Sequence, residues 1–345
     1  MNSFKVSYVT TLPKQGNAPS VTISGDIPHR YLVIFCDKSV GVVSSGYCET
    51  NQVIIGKTKQ WYTEWTIVIQ DSNGKVVFYD DFNPRNKVVF VKMDSFALGD
   101  TIAWIPYVEE FRKKHDCTVI CSTFKNSLFV NAYPNILFVN PNTVIENVYA
   151  QFYIGAIDED NPYYSPVKAF EVPLQMVASE ILGLPWQELR PDLSIGYEHI
   201  KPNINKKYVT IAEFGSSEHK SWKAENGWQQ VVDFLVGKGY DVVAISKEPT
   251  QLKNVIDMTG DSNLSNRIVD IMNAEYHIGV SSGLSWLAWA LGKHVVMISD
   301  ITPKWHEFQT NITRFCANDL TRVNYEAEGQ TIAKDVTLKL DQLEV

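Results

Sequence analysis

The feature that most constrains this chain is the run Val88-Val-Phe-Val91, which is apolar without alternation. A strand with one wet face alternates apolar and polar residues, so a continuously apolar run belongs to a strand covered on both faces, as in a parallel sheet. A loop follows, 92–100, and then residues 101–115 carry apolar positions at helical spacing: Ile102, Ile105, Val108 and Phe111. Strands over 118–121 and 136–139 come next. Alternation of β and α elements predicts a parallel sheet.

A second unit of this kind starts near Lys207. The pattern predicts strands over 208–212, 241–245, 276–280 and 294–298, with helices over 228–238, 264–273 and 285–291. Between the two lies 167–200, read as a helix over 173–182 and a proline-rich linker. The first 86 residues differ. They carry candidate strands at 30–36, 52–56, 65–70 and 75–79, the last two joined by the turn Asp71-Ser-Asn-Gly74. The expected division is a β-rich domain over 1–86, a Rossmann-like domain over 87–200, and a second Rossmann-like domain over 201–345 closed by a surface helix at 327–345. The fold class expected is α/β.

With 345 residues the chain can bury two or three cores, and its formal net charge is −8. An acidic chain without a basic run is a poor partner for nucleic acid, whose phosphates need clustered Lys and Arg. The first twenty residues hold no apolar core of signal-peptide length, and no apolar stretch is long enough to span a bilayer. Five cysteines, at 36, 48, 117, 121 and 316, show no framework spacing. Cys117 and Cys121 read as core thiols of a buried strand. A reducing, cytoplasmic setting fits.

Ligands of open α/β sheets bind at the carboxyl ends of the strands. Three loops there stand out. Leu98-Gly-Asp-Thr101 offers Gly99 for a close backbone approach and Asp100 at a helix start, where a cap is the plain reading. Glu213-Phe-Gly-Ser-Ser-Glu-His-Lys220 offers hydroxyl and backbone donors with one charge at Lys220, a set suited to phosphate, although an ordinary polar loop reads the same way. Val280-Ser-Ser-Gly-Leu-Ser285 places small residues before a helix, whose positive dipole end suits a diphosphate. His306 and Glu307 read as surface residues of a returning helix rather than a metal or acid–base pair. There is no Walker loop, no zinc spacing and no GxGxxG.

Together these segments resemble the autotransporter heptosyltransferases, relatives of the lipopolysaccharide heptosyltransferases. The resemblance covers 87–310. It rests on Leu98-Gly-Asp-Thr-Ile-Ala-Trp-Ile-Pro106, Ile211-Ala-Glu-Phe-Gly-Ser-Ser217 with Lys220 and Trp222, and Val243-Ala-Ile-Ser-Lys-Glu-Pro-Thr250. Ile278-Gly-Val-Ser-Ser-Gly-Leu-Ser-Trp-Leu-Ala-Trp-Ala-Leu291, Met297-Ile-Ser-Asp300 and Thr302-Pro-Lys-Trp-His-Glu-Phe308 complete it. It implies a GT-B fold, two facing Rossmann-like domains, here preceded by the small β-rich domain. It also implies transfer of heptose from ADP-heptose to a serine hydroxyl of an autotransporter passenger, with inversion and without a metal in the chemistry. Asp100 would be the base. The donor would be held by Gly99, Thr101, Ser216, Ser217, Lys220, Ser246, Lys247, Glu248, Ser281, Ser282, Gly283, Leu284 and Ser285. The lipopolysaccharide enzymes carry Asp in place of Ser281 and His in place of Trp286, so those contacts are not carried over.

The family's C-terminal cysteine cluster, which holds iron, is matched here by Cys316 alone. The expectation from the residues is therefore no cofactor and no bound metal. Other readings stay open at this point: a non-catalytic nucleotide-sugar or protein binder on the same fold, a transferase with another donor and a glycan acceptor, a phosphosugar epimerase, and a homo-oligomer.

Overall fold

The computed structural model describes residues 1–9, 19–56, 61–155, 165–202, 204–216, 220–222, 226–298, 302–303 and 305–315. The expected surface helix at 327–345, Ser217, Asp300 and Cys316 lie outside the described residues. The chain divides into two compact units. One holds 1–95, 104–126 and 133–187; the other holds 96–103, 127–132 and the chain from 188 on.

In the first unit, β1 (Ser3–Ser7), β2 (Ser20–Ser24), β3 (Arg30–Asp37), β4 (Gly41–Glu49), β5 (Val53–Ile55), β6 (Trp65–Gln70) and β7 (Val76–Asp81) make two antiparallel sheets, ordered β1-β2-β5 and β4-β3-β6-β7. The central strands alternate as a half-covered sheet requires: Tyr31, Val33 and Phe35 of β3 and Trp65, Ile67 and Ile69 of β6 are buried, and their neighbours are not. The turn between β6 and β7 forms as its sequence demands. Gly74 takes φ +76°, and Asp71 accepts from the Gly74 and Asn73 amides at 3.0 and 2.9 Å.

The same unit holds β8 (Val88–Met93), most of α1 (Leu98–His115), β9 (Thr118–Thr123), β10 (Ile136–Val139), β11 (Ala150–Tyr153) and α3 (Leu174–Ile181); the short α2 (Asn126–Phe129) straddles the division. The four strands are parallel, in the order β10-β9-β8-β11. The helix expected from residue 101 begins at Leu98, so Asp100 lies in its first turn and is not its N-cap.

The second unit is built on β12 (Tyr208–Ala212), α4 (Gly227–Gly237), β13 (Asp241–Ala244), β14 (Ile256–Asp257), α5 (Leu264–Met272), β15 (His277–Val280), α6 (Gly283–Ala290), β16 (Val295–Ile298) and β17 (Ile312–Phe315). All six strands are parallel, in the order β14-β13-β12-β15-β16-β17. Every residue of β12, β15 and β16 is buried, as the sequence texture predicts for strands covered on both faces. Val231, Val232 and Leu235 of α4 pack on Val209, Ile211 and Val242 in one core cluster. Counted along the chain, this order is 3-2-1-4-5-6, the dinucleotide-fold order, and it reverses between β12 and β15. No helix among the described residues is long and apolar enough to cross a membrane.

Candidate functional site

The loops leaving β12 and β15 open at that reversal, which is where open α/β sheets bind ligands. Lys220 is brought there. A methyl built on Gly215 would stand 3.4 Å from both Cβ and Cδ of Lys220 and 3.4 Å from Cγ2 of Val280, the last residue of β15. The lysine stem therefore crosses the end of β12 beside the start of the 281–285 loop. Lys220 makes no ion pair among the described residues, and Ser216 is exposed.

The 281–285 loop divides its hydroxyls sharply. Ser281 Oγ donates to Glu307 Oε1 at 2.5 Å, and Ser285 Oγ donates to the Val280 carbonyl at 2.7 Å. Ser282 is the N-cap of α6 by position, in an extended conformation (φ −145°, ψ 169°), yet its side chain makes no capping bond. It is 8% exposed and its Oγ has no partner among the described residues. The amides of Gly283, Leu284 and Ser285 begin the helix, where intrahelical partners are lacking. One hydroxyl and a helix start are thus left for an anion.

The first turn of α1 joins this arrangement. A methyl on Gly99 would stand 2.8 Å from Trp286 Cδ1, and one on Gly283 would stand 2.7 Å from Leu98 Cβ. Each glycine lets the other element's side chain come against its backbone, so the starts of α1 and α6 pack directly on each other. The Trp286 ring lies against the Gly99 backbone. Asp100 is half-buried beside it; Thr101 is wholly buried, with its hydroxyl on the Leu98 carbonyl at 3.0 Å.

The loops after β13 and β14 border the same sheet end. Ser246 is buried, with its hydroxyl near the Phe214 amide and its carbonyl accepting from Gly260 N at 3.0 Å. Lys247 and Glu248 are exposed, and Lys247 pairs with Asp261 at 3.3 Å. Glu213 escaped assignment from sequence. It directly follows β12, is 6% exposed, and accepts from Thr250 Oγ1 at 2.5 Å. Burial raises its pKa, and the Thr250 bond opposes that rise.

The expectation that Glu307 and His306 lie on a surface helix is corrected. Both are buried in a turn region, and Glu307 is 3% exposed. Its carboxylate takes Ser281 Oγ and Thr302 Oγ1 on one oxygen and Arg314 on the other. Burial would raise its pKa. The Arg314 charge and the three hydrogen bonds outweigh burial and hold it below the usual carboxylate range. The sequence signal was faint: one charge inside aromatic Trp-His-Glu-Phe, and one arginine in Ile312–Phe315. A cavity of about 310 Å³ opens elsewhere, in the first unit, lined by Trp61, Tyr62, Asp37, Glu64 and Glu180, and no predicted site residue lines it.

No family model matches the chain. It is 32% identical over 276 residues to the autotransporter heptosyltransferase Aah of Escherichia coli, covering 76% of this chain and 70% of that protein. It is 29% identical over 269 residues to the inactive autotransporter heptosyltransferase BimC of Burkholderia thailandensis (strain ATCC 700388 / DSM 13276 / CCUG 48851 / CIP 106301 / E264), covering 74% and 63%. Among solved structures, the dodecameric iron-containing heptosyltransferase TibC in complex with ADP-D-β-D-heptose superposes with a TM-score of 0.79. It is 21% identical and covers 99% of this chain and 95% of that one.

The iron of TibC overturns the expectation of a protein without a metal cofactor. The residues described here supply no fit for it: no group of three or more His, Cys, Asp or Glu comes together among them. Cys117 and Cys121 are buried core thiols, as expected. Burial pushes the Cys117 thiol up to about 11 and Cys121 higher still, the opposite of the thiolate a metal needs.

Proposed function

The chain belongs to the autotransporter heptosyltransferase family and is a glycosyltransferase, and we propose that it moves heptose from ADP-heptose to a serine hydroxyl of an autotransporter passenger, with inversion at the anomeric carbon. The observation that carries this reading is the convergence at one sheet reversal of a lysine, a buried unpartnered serine hydroxyl and a helix start, with a carboxylate in the adjoining first turn of α1. That donor set suits a diphosphate leaving group and a base.

In this reading Asp100 takes the proton from the serine hydroxyl as its oxygen attacks the anomeric carbon. The bond from that carbon to the diphosphate oxygen breaks, and ADP leaves with the electron pair. Lys220, Ser282 Oγ and the first amides of α6 take up the charge that develops on the departing diphosphate. Thr101, Ser281 and Ser285 contribute through the backbone they shape, since their hydroxyls are engaged within the chain. Ser246, Lys247 and Glu248 stand for the ribose and base. We read the two parallel sheets as the two Rossmann-like halves of a GT-B arrangement, with residues 1–86 as a β-rich domain before them, and the working site as cytoplasmic.

The family includes an inactive relative, so the direct test is transfer itself. Purified chain, ADP-heptose and an autotransporter passenger should yield ADP and a passenger heavier by one heptosyl group, with the opposite anomeric configuration. Absence of both ADP release and mass gain, with donor still bound, would leave a binding protein on this fold.

A further inference from the structure

Two adjacent serines leave β15, and only one of them is tied down. Ser281 Oγ donates to Glu307 Oε1 at 2.5 Å, whereas Ser282 Oγ has no partner among the described residues. The tie reaches across the chain. Thr302, after β16, donates to the same oxygen at 2.6 Å, and Arg314, on β17, binds the other oxygen. Arg314 also donates to the Pro303 carbonyl at 3.3 Å and lies beside Met297 of β16, its register partner. The side chains of Glu307 and Arg314 are 0% and 9% exposed.

A buried ion pair is a poor device for stability, because desolvating both charges offsets their attraction, and apolar replacements of similar volume are often neutral or stabilising. What such a pair does supply is a fixed arrangement. Here the arrangement fixed is the exit of β15 into α6. With the Ser281 side chain held toward Glu307, the Ser282–Gly283 backbone is set in one orientation and the Ser282 hydroxyl stays unclaimed. Arg314 also cancels the carboxylate charge that would otherwise face an anion bound at this loop.

We propose that Glu307, paired with Arg314, is a positioning residue for the donor diphosphate: through Ser281 it orients the loop and helix start that bind the phosphates. This inference rests on the reading of that loop as the diphosphate site.

The test is calorimetry of ADP and adenosine on the full chain, with thermal unfolding in parallel. In Ser281→Ala the ratio of ADP to adenosine affinity should fall about tenfold, equal to the loss of one charge-assisted contact to the phosphates, and unfolding temperature should fall as well, because the buried Glu307 carboxylate loses a hydrogen bond. In the pair variant Glu307→Leu/Arg314→Met the ratio should fall by about the same factor, while unfolding temperature holds or rises. Adding Ser281→Ala to the pair variant should cost nothing more, because both act through one contact. A ratio within about twofold of wild type in Ser281→Ala would overturn the proposal, whatever the pair variant does. So would a pair variant that loses stability but keeps the ratio. A wild-type chain that binds ADP no better than adenosine would instead fail the diphosphate reading itself.

Discussion

The two parallel sheets begin alike and end differently. Each lays its first four strands in the order 3-2-1-4, β10-β9-β8-β11 in one and β14-β13-β12-β15 in the other. Among the described residues only the second goes on, to β16 and β17, and that extension supplies the residues that fix its ligand loop: Thr302 after β16, then Glu307, then Arg314 on β17. The loop leaving β8 of the first sheet runs instead into α1, whose opening turn belongs to the second unit and packs there on α6. Equal wiring therefore does not make equal sites. The chemistry follows from what each loop contains and what holds it in place.

That contrast can be broken at four points. The largest effect is expected at Asp100, the contribution of the α1 turn. Asp100→Asn should leave ADP binding intact by calorimetry and lower turnover by roughly 10²–10⁴-fold, the usual worth of a general base. Near-normal turnover would reduce Asp100 to an acid in the first turn of a helix.

Next comes Lys220→Ala, the contribution of the β12 loop. It should weaken ADP about tenfold to a hundredfold, as a charge-assisted phosphate contact would, and leave adenosine unchanged. Equal losses for both ligands would place the ammonium away from the phosphates.

The packing of the α1 turn on α6 is tested at Gly283→Ala. The new methyl would meet Leu98 Cβ at 2.7 Å, and the helix starts would have to separate. A loss of about 1–3 kcal/mol is expected in chemical denaturation, the usual penalty for overpacking. Unchanged stability would mean that the two starts are free to move apart.

The smallest effect sharpens the comparison by pH. Burial lowers the pKa of His294, and more strongly that of one histidine in each unit: His277 of β15, to about 3, and His115 at the end of α1, to about 4, with the Lys114 charge adding to the shift. Both are neutral in the folded chain, and their unfolded pKa is about 6.5. The unfolded state therefore gains protons first as pH falls below about 6.5, and stability is lost progressively from there toward pH 3–4. Unfolding temperature followed from pH 7 to pH 4 should drop less steeply in His115→Gln than in wild type. Parallel curves would show that His115 is protonated without unfolding.

Much of the fold was legible beforehand. Residues 65–70, 136–139 and 208–212 form strands with the bounds their texture predicts, and twelve other helices and strands differ from expectation by no more than two positions at either end. What escaped was of a different kind. β4, Gly41–Glu49, reads as serines and glycines because it is an edge strand with most of its side chains in water. β14 and β17 are two and four residues long and close the sheet at its edges, too short for any period to show. Such strands exist because a neighbour offers a ladder, not because their own sequence asks for one.

The site divides in the same way. The sequence by itself determined that loops of small residues follow β12 and β15, that Asp100 opens α1 and that one lysine stands in the first ligand loop. Each follows from local spacing and residue type. Only the tertiary structure decided which groups remain for a ligand. Ser281, Ser282 and Ser285 are equivalent on paper. They differ in space because Glu307, 26 residues further on, takes one hydroxyl, the Val280 carbonyl takes another, and nothing among the described residues takes the third. Likewise only the structure shows that the Trp286 ring lies against Gly99. Periodicity reports which face a residue turns to the core; it carries no record of the distant partner that meets it there, because that pairing is set only when the strands order themselves into a sheet.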